Sequence, residues 1–356
     1  MTVVSAVPRL RLLRSDLSTS GIARRRAGRG FTYLDDDGRR VADPEVLARI
    51  TALVIPPAWT DVWICPAPNG HIQAVGTDVA GRRQYRYHEL WRARRDLAKF
   101  DRILDFARAL PDLRAQVAEH LARPDLDRER VLACAVRLLD LGFFRIGGEG
   151  YASANQTFGL ATMQKRHVTV TGDVVRFDYV AKSGKRRIQS LADPAVIDIV
   201  AGLKRRRGGG QELLAYRRDG SWVDVRSADI NTYLKELTGG QFSAKDFRTW
   251  SATVLAAVAL AVSADAPSPT AQRRAVTRAV TEVAHYLGNT PTVCRASYVD
   301  PRVIDRYLAG TTIRHALDEL GADTEVGCLS TQGPVEHAVL DLLDGAPAVP
   351  ALRRAG

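Results

Sequence analysis

The sequence predicts an α+β protein. A small β-rich amino-terminal lobe over residues 30–90 precedes a mostly helical domain over residues 91–346 that carries one three-stranded antiparallel sheet. Three observations predict it. Between residues 30 and 88, short β-prone runs alternate with Asp-Gly, Asn-Gly and Ala-Gly turns. From His88 to Leu141 the apolar residues recur at helical spacing, with arginines on the other face. From His167 to Leu191 the period becomes two, and helical spacing then returns.

Charge and cysteine usage narrow the class. Lys and Arg number 51 against 40 acidic residues, a formal charge of +11 that points to a polyanionic partner. Charge alone does not separate nucleic acid from an acidic membrane surface. The longest apolar run, Val254 to Val262, fits a buried helix and is about half of what spans a bilayer, so no membrane association is expected. Cys65, Cys134, Cys294 and Cys328 are scattered without a C-x-x-C pair, which suits a reduced, cytoplasmic setting without structural zinc.

Element by element, residues 1–29 lack periodicity, end in Arg24-Arg25-Arg26-Ala27-Gly28-Arg29, and read as a basic flexible arm. Phe31 to Leu34 and Arg40-Val41 flank Asp35-Asp36-Asp37-Gly38 as a hairpin, and the acidic triplet reads as a turn tip rather than a metal site. A helix spans Pro44 to Val54. Strands follow at Val62 to Cys65, His71 to Val75 and Arg82 to Tyr87. Helices are expected over His88–Leu110, Leu113–Ala122 and Arg128–Leu141, the last stopped by Gly142 as a left-handed cap. His167–Val170, Val174–Val180 and Arg186–Leu191 make the three-stranded sheet. Helices then run over Pro194–Arg207, Ser227–Leu237, an apolar stretch from Ser243, Ala271–Leu287, Arg302–Leu320 and Val335–Leu343, with residues 347–356 as a tail.

Several residues in this frame call for a reason beyond folding. Along Gly81 to Tyr87, alternation puts Tyr85 and Tyr87 on one face with Arg86 on the other. Arg83, Gln84, Tyr85 and Tyr87 suit base edges and phosphates, and equally a sheet face packed on a core. Arg145 sits in the apolar, glycine-flanked loop Phe143-Phe144-Arg145-Ile146-Gly147-Gly148, so it is met either by an anion or by a structural salt bridge. Lys182 and Lys185 share one hairpin tip, where a solvated turn is the default reading. Arg248 opens the apolar helix, in the first turn that a helix dipole makes unfavourable for a cation. Gly288-Asn289-Thr290-Pro291 closes the helix ending at Leu287, and Tyr298 follows beside Arg295.

In combination, F-R-I-G-x-E-x-Y at Phe144–Tyr151, Y-V-A-K-S-G-K at Tyr179–Lys185, K-D-F-R-T-W at Lys245–Trp250 and L-G-N-T-P-x-x-x-R-x-S-Y at Leu287–Tyr298 resemble the type IB DNA topoisomerases, in their short bacterial and poxvirus-like branch. The resemblance runs from about Ile55 to the final helices. It implies that Tyr298 is the nucleophile, Arg145 and Arg248 the phosphate clamps, and Lys182 the general acid. Asn289 stands where the family usually has His, as the bacterial L-G-N-T-P form has. It further implies that Arg83, Gln84, Tyr85, Tyr87, Tyr151 and Lys185 contact double-stranded DNA, in a monomer working at the nucleoid without ATP, metal or other cofactor.

The chemistry fits that set. Tyrosine, with an ordinary pKa of about 10, attacks a phosphodiester only once guanidiniums neutralise the phosphate and an acid protonates the leaving 5′-oxygen. A tyrosine site-specific recombinase uses the same chemistry, but usually has H-x-x-R where this chain has Lys245-Asp246-Phe247-Arg248. A DNA-binding relative with weakened catalysis is the other alternative, resting on Asn289.

Overall fold

The computed structural model describes residues 11–318 and 329–344, and the chain divides between Lys99 and Phe100 into two units. In the first, strands β1 (Ile22–Ala27), β2 (Gly30–Leu34), β3 (Thr60–Ile64), β4 (Ile72–Thr77) and β5 (Arg83–Tyr87) form an antiparallel sheet in the order β2-β1-β3-β4-β5. Helix α1 (Pro44–Ala52) starts where the Asp43 carboxylate accepts from the Glu45 and Val46 amides. Its Ile50 packs with Ile22, Val62, Ile64 and Ala74. Arg49 ties the helix to the sheet, donating to Gln73 Oε1 at 2.8 Å and to the Cys65 carbonyl at 2.8 Å.

The arm expectation fails at its carboxy-terminal end, because Ile22–Ala27 is a paired strand. Strand alternation turns Arg24 inward with Ile22. Its guanidinium stacks 4.1 Å from the Phe31 ring and caps the carbonyls of Ile55, Pro56 and Trp59. The basic run therefore reads as polar by composition while serving as structure. Residues 1–10 lie outside the described residues, as does the expected 347–356 tail. β2 pairs chiefly with β1, and the expected partner strand shrinks to a bridge between Leu34 and Arg40. Asp35, Asp36 and Asp37 cluster at that turn, where Asp35 accepts from the Arg39 amide.

Helix α2 (Glu89–Leu121) is one 33-residue helix where two were expected, and Pro111 lies inside it. A mid-helix proline costs roughly 3 kcal/mol. Leu110 and Leu113 are almost wholly buried on either side of it, and each such side chain returns about 1.5–3 kcal/mol, so the helix continues.

In the second unit α3 (Arg128–Gly142) is the central element, buried nearly throughout from Val131 onward. Around it lie α4 (Glu149–Asn155), the sheet β6 (Val168–Thr171), β7 (Val174–Val180) and β8 (Arg186–Leu191) in the order β6-β7-β8, and α5 (Pro194–Arg205). A hairpin of β9 (Ala215–Arg218) and β10 (Ser221–Asp224), absent from the sequence reading, turns at Asp219-Gly220. Then come α6 (Ser227–Thr238), α7 (Ala244–Val262), α8 (Pro269–Leu287), α9 (Pro291–Ser297), α10 (Pro301–Leu308) and α11 (Pro334–Leu343). The helix expected over Arg302–Leu320 stops at Leu308, with Gly310 in the left-handed region, and residues 319–320 lie outside the described set. No described helix is long and apolar enough to cross a membrane.

Candidate active site

Helix α3 is stopped by Phe143, not Gly142, in the left-handed conformation at φ 52°. Gly142 is needed for a different reason: a Cβ there would lie 2.2 Å from the Phe144 ring. The Phe144 ring folds back into the core, and Arg145 follows it on a braced backbone. The Leu160 amide donates to the Arg145 carbonyl at 2.9 Å and the Ala161 amide to the Ile146 carbonyl at 2.7 Å.

Helix α8 ends at Gly288, in the left-handed region at φ 63°, with the Asn289 amide returning to the Ala284 carbonyl at 2.8 Å. Three arginines from three elements converge on this terminus. Arg187 of β8 donates to the Tyr286 carbonyl at 2.7 Å, Arg248 of α7 to the Leu287 carbonyl at 2.8 Å, and Arg145 to the Gly288 carbonyl at 3.0 Å. The last carbonyls of a helix lack partners and carry its negative dipole end. That resolves the oddity of Arg248. Because α7 starts at Ala244, Arg248 lies just past the first turn where the sequence placed it, still near the positive end of its own helix, and its guanidinium reaches the favourable last turn of another.

Arg145 also donates to Asn289 Oδ1, and Asn289 Nδ2 is buried with no hydrogen-bond partner. Arg248 donates to the Phe143 carbonyl as well, is 4% exposed, and leaves its Nε unpartnered. Among the described residues no carboxylate lies within ion-pair distance of Arg145, Arg187 or Arg248. Burial, and after it the neighbouring Arg145, push the Arg248 pKa down to about 10, partly opposed by Tyr298 through its charge and its hydrogen bond. Burial lowers Arg187 too, and raises the Tyr179 phenol between these arginines. Buried cations without counter-ions are costly, and unpartnered donors beside them suit an anion with several oxygens.

Tyr298 is delivered by α9, a short helix missed in the sequence because Asn-Thr-Pro reads as a turn. Thr290 caps it, accepting from the Val293 amide, and Pro291 fits its first turn. The half-buried Tyr298 is its last cap, with its ring 5.4 Å from the Arg248 guanidinium carbon. The buried Thr253 hydroxyl on α7 fixes the peptide between Tyr298 and Asp300. It lies 3.3 Å from the Tyr298 carbonyl oxygen and accepts from the Asp300 amide at 3.1 Å.

Of the five residues the motifs single out, Arg145 with Asn289 and Arg248 with Tyr298 form two contacting pairs, which meet at the last carbonyls of α8. Lys182 joins neither pair. It is exposed on the β7–β8 connection, where Ser183 and Gly184 both have positive φ, and no hydrogen bond or ion pair among the described residues ties it to the other four. Lys185 is exposed on the same connection. In the first unit Tyr85 and Tyr87 share a face, their rings stacked at 5.9 Å, while Arg86 turns away to the Val54 carbonyl. Arg83 is exposed, and the Gln84 amide donates to Asp78 at 2.9 Å. The Tyr151 side chain lies outside the described residues.

Arg187 and Thr253 escaped the sequence reading, and Tyr179 entered it only as the first residue of a motif. A signal existed for Arg187: alternation along β8 puts Arg187, Gln189 and Leu191 on the inward face and leaves Ile188 51% exposed.

Comparison with known proteins adds four similarities. A family profile described as the catalytic core of eukaryotic DNA topoisomerase I matches residues 88–317, and one described as the bacterial DNA topoisomerase IB N-terminal domain matches residues 30–78. DNA topoisomerase 1B of Acanthamoeba polyphaga mimivirus is 30% identical over 293 residues, 81% of this chain and 87% of the viral protein. DNA topoisomerase I of Monkeypox virus is 30% identical over 111 residues, 30% of this chain and 34% of that protein.

Proposed function

The chain belongs to the type IB DNA topoisomerases, and from that premise we propose that Tyr298 nicks one strand of a duplex through a 3′-phosphotyrosyl ester. The observation that carries this reading is the helix end where Arg145 and Arg248 meet. One of them holds Asn289 and the other lies against Tyr298.

The steps follow from the groups present. A phosphodiester repels nucleophiles by its own charge. Arg145 and Arg248 bind its non-bridging oxygens, and Asn289 Nδ2 donates to one of them, so the more anionic pentacoordinate transition state gains most. The Tyr298 oxygen attacks phosphorus as its proton passes to solvent, the bond to the 5′-oxygen breaks, and Lys182 protonates that oxygen. For this the exposed β7–β8 connection folds onto the DNA, a motion that a turn built on Ser183 and Gly184 permits.

The ester keeps the energy of the bond it replaced, so resealing is the same reaction run backwards and needs no ATP. Fixed guanidiniums supply the positive charge for which other phosphoryl-transfer sites use metal ions. While the strand is open, the free 5′-end turns about the intact strand and supercoils are lost. Arg83, Gln84, Tyr85 and Tyr87 on β5, with Tyr151 and Lys185, contact the duplex. One chain supplies all five active groups, so a monomer suffices.

The test is relaxation of negatively supercoiled plasmid without ATP and with chelator present, followed by denaturant trapping of a protein–DNA adduct. Tyr298→Phe should lose both, by roughly 10⁴-fold or more. Relaxation by that variant, or failure to trap any adduct with the native enzyme, would overturn the proposal.

A further inference from the structure

Arg187 belongs to none of the motifs that define the catalytic set, yet it shares their environment. Its Nη1 occupies the space that a side chain on residue 288 would need, 2.4 Å from where a Cβ would stand. Arg145 holds the carbonyl of that same glycine. Gly288 is thus flanked by two guanidiniums, and the third, Arg248, bonds the residue before it. Arg187 also lines, with Lys185, Gln189, His285 and Asn289, a cleft of about 560 Å³ with no acidic side chain on its walls.

We propose that Arg187 is a third phosphate-binding guanidinium of this site, holding a backbone phosphate next to the one that Tyr298 attacks. The proposal rests on the reading of the site as a DNA phosphate site. A guanidinium that only capped α8 would have no need to lie beside two others without a carboxylate among them, and an exposed lysine would serve as well. Arg187 gives one nitrogen to the Tyr286 carbonyl and shares a further hydrogen bond with the Tyr179 phenol, while its guanidinium still lines the wall of the cleft, where Asn289 also lies. Two adjacent phosphates held at once fix the position of the scissile one along the strand, which is the positioning that in-line attack requires.

The experiment pairs protein variants with neutral DNA. Single methylphosphonates are placed in turn at each phosphate flanking a mapped cleavage site, and single-turnover cleavage and salt-dependent binding are measured for the native enzyme, Arg187→Gln and Arg187→Lys. Expected for Arg187→Gln are a 10- to 100-fold slower cleavage, of the size seen for a lost positioning contact, and a salt slope smaller by about 0.9, the signature of one phosphate contact. One methylphosphonate position that slows the native enzyme should make no further difference to this variant. Arg187→Lys should recover the slope and only part of the rate, since an ammonium lacks the guanidinium fork.

A lower melting temperature with unchanged slope, rate and methylphosphonate pattern would overturn the proposal and leave Arg187 as a helix cap. If Arg187→Gln does not fold, Arg187→Lys carries the same comparison, and a pattern identical to the native one is again fatal. Absence of any cleavage by the native enzyme would overturn the underlying reading of the site, and this inference with it.

Discussion

The Arg145 guanidinium donates to the side-chain oxygen of Asn289, and this one bond decides which end of the amide is left over. With Oδ1 committed, the buried and unpartnered Nδ2 is a donor waiting for an acceptor. The residue in the family's usual His place therefore offers a fixed neutral hydrogen bond.

Asn289→Ala should slow single-turnover cleavage by about 10²- to 10³-fold, the cost of one donor to a developing oxyanion. Asn289→His should restore part of the rate and add an inflection near pH 6 to 7. The native pH–rate profile should lack that inflection, and finding one that Asn289→Ala abolishes would contradict the assignment.

Arg248 is held cationic at a cost, since burial and Arg145 bring its pKa down to about 10 from the usual 12.5. The folded state thus binds fewer protons than the unfolded chain between these values, and its stability rises with pH across that window. Arg248→Met removes the penalty. Its melting temperature should match or exceed the native one at neutral pH while cleavage is lost, and the gap should narrow as pH passes about 10. Inorganic phosphate should stabilise the native protein more than the variant, which keeps Arg145 but loses one guanidinium. Thermal melts over pH and phosphate concentration check all three.

Lys182→Ala should cut cleavage by about 10²- to 10⁴-fold, the range for a lost general acid. A substrate whose 5′-bridging oxygen is replaced by sulfur leaves without protonation and should be cleaved by this variant at nearly the native rate. Equal defects on both substrates would remove Lys182 from the acid role.

Gly288→Ala meets a left-handed backbone, costing about 1 kcal/mol, and displaces the Arg187 guanidinium as well. Its stability loss should therefore exceed that of alanine at Gly239, another left-handed helix cap with open space around it. Cleavage should fall only in Gly288→Ala, and denaturant titration beside single-turnover rates tests the pair.

Much of this molecule was legible in its sequence where period and chemistry agree. The three-stranded sheet and the burial of α7 follow from spacing, and the resemblance carried by the motifs named Arg145, Arg248, Asn289 and Tyr298 together, residues that the structure brings to the end of α8. Failures came where tertiary contacts override local rules. Pro111 is carried through by the buried leucines around it, and Arg24 leaves the basic run to cap three carbonyls. Arg187 looked like one basic residue among many on a hairpin. Its role depends on the Gly288 cavity a hundred residues away in sequence, which no local window contains.

The arginines at the end of α8 lean on neutral carbonyl oxygens. Had carboxylates held them, an arriving DNA strand would first have to evict a counter-ion, and a departing one would let the site short-circuit itself. A peptide oxygen lets go cheaply and leaves the charge undiminished. On the proposed mechanism, the site would therefore keep its charge during the interval when the cut end swings free, ready for the strand's return.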